Sequence, residues 1–149
     1  MASGAQIVKN TMSGKNYESI VEKATERAMA AVGEHLSGIA ELDAPVKSGR
    51  LAASITWATS RDGNSPRPDA LPSDKVSSPR KKNVVYIGTN VEYAQHIEYG
   101  TKNRRFLGIG YGGTRMAAQS FLRRALNDER SRVRKMYQEE LHKGLKSGR

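Results

Sequence analysis

The chain contains no cysteine, which excludes a disulfide framework and thiolate metal ligation. It is poor in rings too, with one Trp, two Phe and six Tyr. A core with so few rings is slim and rests on Ala, Val, Leu and Ile. No apolar run approaches the roughly 20 residues that span a bilayer, so no membrane partner is expected. Met1 to Asn16 are small and polar, without the apolar stretch of a secretory signal. These absences describe a chain expected to be soluble and intracellular when made. A length of 149 residues suits a single domain, 1–149.

Catalytic signatures are missing as well. His35, His96 and His142 are scattered, and none has a second His one turn away, as a metal pair on a helix requires. His96 has Glu92 and Glu98 near it in sequence, but a single His beside carboxylates is far commoner on a surface than as a general base. No Gly-x-Ser-x-Gly elbow occurs. Gly108 to Gly113 superficially resembles a phosphate-binding loop, yet it follows no clear strand and carries no Lys-Ser/Thr pair at the required spacing. The chain therefore reads as a non-enzyme. No catalytic, cofactor-binding or metal-binding residue is assigned, and no cofactor is expected.

What the chain has in excess is positive charge, a formal +10. The excess is uneven. Up to Val46 the acids Glu18, Glu22, Glu26, Glu34, Glu41 and Asp43 outnumber the bases Lys9, Lys15, Lys23 and Arg27, and the basic surplus begins at Lys47. Such a split supports head-to-tail packing of identical subunits. The plainer alternative is a solvated basic surface. A nucleic-acid partner also suits the charge, but there is no zinc-finger spacing, no helix-turn-helix signature and no aromatic RNA-binding pattern.

Along the chain, residues 1–15 read as a mobile arm. Tyr17, Ile20, Val21, Ala24, Ala28, Val32, Leu36 and Ile39 recur at three- and four-residue spacing and predict a helix from Asn16 that Pro45 terminates. Gly33 and Gly38 weaken its second half. A helical turn capped by Ser48 follows, then a strand over 54–60 with Ile55 and Trp57 on one side. Residues 62–80 hold Pro66, Pro68, Pro72 and Pro79 and read as a long projecting loop outside the core, closed by Arg80, Lys81 and Lys82. Val84 to Ile87 is the clearest strand, stopped at Gly88. A short helix over 91–99 ends at Gly100. Residues 102–115 are basic and glycine-rich, with Arg104 and Arg105. A last helix runs from about Ser120 to about Lys143, and 144–149 form a basic tail. The fold class is α+β, a small antiparallel sheet packed against a long N-terminal helix and a long C-terminal helix. Either further strands hide in the loops or another subunit completes the sheet.

Three segments resemble the gene-ten-like tail-component family of long-tailed, lambda-like bacteriophages. The first runs from Ala44-Pro45-Val46 through Gly49-Arg50-Leu51 to Ser54-Ile55. The second runs from Val85 through Gly88-Thr89 and Tyr93-Ala94 to Glu98-Tyr99-Gly100-Thr101. The third runs from Met116 through Phe121-Leu122-Arg123 to Leu126. Ser120 and Arg124 stand where the family usually has proline, and the insert from Arg104 to Arg115 is long. The resemblance implies a structural virion protein of the head–tail junction. Such a protein is a neck or tail-completion component forming a homo-oligomeric ring, a hexamer, around a DNA channel. Its implied partners are itself, neighbouring neck and tail proteins, and DNA in the channel. Its implied locations are the virion and, during assembly, the host cytoplasm. A tail terminator or minor capsid protein is the nearest alternative, and a basic nucleic-acid-binding protein the alternative of another class. Residues assigned to a subunit interface or channel are Arg50, Arg80, Lys81, Lys82, Tyr93, Tyr99, Arg104 and Arg105. Gly49 and Gly100 are expected to permit special backbone angles, and Arg50 to hold an ion pair with Glu92 or Glu98.

Overall fold

A computed structural model of the chain describes residues 14–45, 49–101 and 116–147. Helix α1 spans Gly14–Asp43 and is about 45 Å long at the usual rise per residue. Its buried positions Ala24, Ala28, Val32, Leu36 and Ala40 follow the spacing of an amphipathic stripe. Helix α2, Arg50–Ser54, leads into strand β1, Thr56–Ala58. Strand β2, Tyr86–Gly88, pairs antiparallel with β1 in the register Thr56↔Gly88, Trp57↔Ile87 and Ala58↔Tyr86. Helix α3, Ala94–Tyr99, is followed by α4, Phe121–Asp128, and α5, Arg130–Ser147. Helix α1 packs against both C-terminal helices, β1 and α2.

The architecture is thus the expected α+β arrangement, with long helices at both ends of the chain and a two-stranded antiparallel sheet packed on α1. Several details differ. The last helix is two: the chain breaks at Glu129, whose φ of −92° and ψ of 2° are not helical, and α5 restarts at Arg130. Gly144 does not end α5. It lies where α5 crosses α1, and a Cβ there would sit 2.7 Å from the Ala24 Cβ, so the glycine is set by close helix approach rather than by a terminus. Gly14 and Lys15 belong to α1 rather than to an arm. The rest of the expected arm, the Ser48 cap and the segment with Arg104 and Arg105 lie outside the described residues.

Strand β1 is buried on both sides, whereas Tyr86 of β2 is exposed. Every residue from Leu51 to Thr59 is buried, so the alternation expected for β1 is absent. On one side Trp57 packs on α1 at Gly33, where a Cβ would come within 3.0 Å of the indole and 2.9 Å of Val85. Val85 packs against the helix rather than in the ladder, and β2 starts at Tyr86, two residues after the expected Val84. The opposite side is covered by residues 62–80. Arg67 N–H donates to the Ala53 carbonyl (2.9 Å) and Val76 N–H to Thr56 Oγ1 (2.8 Å). Asn64 closes the second edge of β1: its N–H donates to the Trp57 carbonyl, and its Oδ1 accepts from Trp57 N–H at 2.7 Å. The polar, proline-rich segment is therefore fastened to the body, and Asp74 within it is buried.

Candidate functional site

Arg50 was expected to pair with Glu92 or Glu98. Its partner is Asp74. Nε donates to Oδ2 and Nη2 to Oδ1, each at 2.9 Å, the two-pronged geometry that a guanidinium offers a carboxylate. Gly49, at φ 74°, opens α2 and accepts from Ala53 N–H, which holds Arg50 at the first helical position. Asp74 ends a 3-10 turn, Pro72–Asp74, and also accepts from Leu71 N–H. The Arg50 guanidinium above all, with Leu71 N–H adding to it, holds the Asp74 carboxyl below the usual aspartate range against the opposing pull of burial. The Asp74 carbonyl accepts from Asn90 N–H at 2.7 Å. This one residue joins α2, the proline-rich segment and the turn after β2.

Glu98 has a different task. The residue is 4% exposed, and its carboxylate accepts from Leu122 N–H (3.0 Å) and Arg123 N–H (3.1 Å). A carboxylate from α3 therefore caps α4, where unpaired amides and the helix dipole both favour negative charge. Ser120 makes no cap bond to α4; its hydroxyl donates to the Glu98 carbonyl instead. Gly100, at φ 74° with the Met116 carbonyl 2.7 Å from a would-be Cβ, lets the chain turn between the two helices. Thr101 and Met116 then pair as an antiparallel bridge.

Among the described residues, those assigned to an interface or channel are not gathered in one place. Lys82 is paired with Glu22 of α1 at 2.9 Å, as is Arg61 at 2.7 Å. Tyr93 is half-buried against the core cluster around Phe121. Tyr99 is exposed, and the Arg123 guanidinium lies over its ring at 4.8 Å from the centroid, a cation–π contact. Arg80 and Lys81 are exposed and have no ion-pair partner among the described residues.

Sequence reasoning missed two links. His35 Nε2 lies 2.7 Å from Glu129 Oε2, which ties α1 to the break between α4 and α5. Arg67 pairs with Glu41, fastening the proline-rich segment to the far end of α1. Neither link has a local signal, because the partners are distant in sequence. Among the described residues no group of three or more His, Cys, Asp or Glu could hold a metal ion, and no helix is long and apolar enough to cross a membrane.

What this geometry defines is a body whose buried charges cap helices and join segments. The profile of the HK97-gp10-like family of bacteriophage tail components matches residues 6–100, more than half of the chain, and the chain belongs to that family. The match takes in Gly49-Arg50-Leu51 and the stretch from Val85 to Gly100; Met116 to Leu126 lies beyond it. No curated protein and no solved structure matches significantly. As a phage tail component the chain is a structural, virion-associated protein.

Proposed function

We propose that the chain is a ring-forming neck or tail-completion component that joins tail to head around a DNA channel and performs no catalysis. Family membership supports the structural tail role. The observation that carries the assembly reading is the outer edge of β2. Trp57 turns its N–H and carbonyl to Asn64, so the Trp57–Ile87 pair exchanges no ladder bonds. Ile87 must then direct its own N–H and carbonyl away from β1. Among the described residues no strand takes up that edge. A monomer tends to hide or charge such an edge, and an assembled subunit can present it to a neighbour.

Imaging intact particles with a labelled chain tests the location: label confined to the head–tail junction supports the reading, and label on the capsid shell or the tail tip overturns it. The net charge of +10 favours a second reading, nucleic-acid binding. Several cations, including Arg50, Arg61, Arg67, Lys82, Arg123 and Arg124, are engaged in internal ion pairs, which commits those side chains to carboxylates rather than phosphates. Phosphate-driven binding falls by orders of magnitude between 50 and 200 mM salt. An assembly that persists across that range speaks for protein–protein contacts.

A further inference from the structure

Two unlike surfaces lie beside α1, one lined by its residues from Glu34 to Leu42 and one tied to it at Glu22. Near its C-terminal end is an open groove of about 700 Å³ between α1, α2 and the proline-rich segment. Ile39, Ala52 and Ala53 give it apolar walls, and Glu34 and Asp69 stand in its lining. Neither carboxylate has an ion-pair partner among the described residues, whereas Glu41 beside them is neutralised by Arg67. Leu42, also in the lining, is 82% exposed, and a leucine so placed gains by being covered.

The second surface surrounds the start of β2. Tyr86 is 48% exposed, and Arg80 and Lys81 precede it without ion-pair partners among the described residues. The Lys82–Glu22 pair fixes this segment beside the N-terminal half of α1. Glu34, the first lining residue of the groove, is about 18 Å farther along the helix at about 1.5 Å per residue. The open edge of β2 belongs to this same surface.

Building on the ring reading, we infer that these are the two halves of one contact: the Arg80–Lys81–Tyr86 corner of one copy seats in the Glu34–Leu42–Asp69 groove of the next. The occupant is a second copy because the charges complement each other. The groove offers two unpaired carboxylates beside apolar walls, and the corner offers two unpaired cations beside an aromatic ring. Tyrosine suits such a place, with an apolar body and a polar tip. The two halves are different patches that share no residue, so the contact is heterologous and propagates in one direction. A ring requires such a contact, and a two-fold dimer does not.

Charge reversal and crosslinking test this on the full-length chain. Glu34→Lys with Asp69→Lys, or Arg80→Glu with Lys81→Glu, is expected to weaken self-association by about ten-fold or more, because like charges then face each other. Mixing the two variants, or placing all four changes in one chain, is expected to restore it, which a merely misfolded variant cannot do. The chain has no cysteine, so Leu42→Cys with Tyr86→Cys introduces the only thiols. Under mild oxidation that double variant is expected to give a ladder of linked oligomers, and each single variant is not. A wild-type chain that sediments as a monomer overturns the ring reading and this contact with it. An oligomer that both reversals leave intact, or that the mixture fails to restore, overturns the contact alone.

Discussion

Nine consecutive residues from Leu51 to Thr59 are buried, whereas α5 buries none of its eighteen. The first region lies between α1 and the proline-rich segment, and it is held from both sides by apolar packing and by hydrogen bonds to Ala53, Thr56 and Trp57. The second lies along α1 on one face only, through half-buried Val133, Met136, Tyr137 and Leu141. The same helix thus supports a two-sided core on one face and a one-sided helix pair on another. Buried area and the number of faces covered, more than helix length, decide how firmly a segment is held.

The sharpest way to break the two-sided region is Trp57→Ala. It removes the ring packed on Gly33 and leaves a cavity between α1 and the sheet, at an expected cost of about 3–5 kcal/mol, read from denaturant unfolding. Glu98→Ala acts at the border of the two regions. It leaves the α4 amides of Leu122 and Arg123 without their acceptor, and about 1–2 kcal/mol is expected for a lost cap. Its signature is faster hydrogen exchange over 121–128 with β1 little changed.

Asp74→Asn sharpens the comparison through pH. The folded-state pKa of Asp74 is lowered, so its contribution to stability is fully present above the unfolded value of roughly 4 and is lost as pH falls through the folded pKa. The variant is expected to melt below wild type at neutral pH, and the gap is expected to close in acid below about pH 4. A gap that stays constant down to pH 2 excludes the Arg50–Asp74 pair as its source.

The smallest expected effect on global stability belongs to Gly144→Leu. Its side chain collides with Ala24 and pushes α5 away from α1. Amides of 130–147 are expected to lose protection while those of 51–59 keep theirs. Equal loss in both segments would show that the molecule opens as one unit.

Much of this was legible in the sequence because it is local. The α1 stripe from Ala24 to Leu36 is a matter of helical spacing, and Pro45 and Gly100 end their helices through backbone geometry. Gly49 and Gly100 were expected to take special angles, and both have positive φ. The short helix before Gly100 and the antiparallel pairing of the two strands also follow from neighbouring residues. Positions set by a distant partner were not legible. Gly33 and Gly144 read as helix weaknesses or stops, but each is a place where another element packs close against α1.

The sequence by itself determined which residues form helices, where the chain turns and where its charge is concentrated, since propensity, periodicity and glycine geometry act over a few residues. Tertiary structure alone decided the partners. Asp74, rather than Glu92 or Glu98, receives Arg50, because the polar segment folds back across the sheet and brings a carboxylate to the start of α2. Glu98 was thereby free to cap α4. Glu129 meets His35 across the molecule, at the point where one expected helix becomes two. An ion pair depends on which side chains reach one place in space, and sequence separation carries almost no information about that.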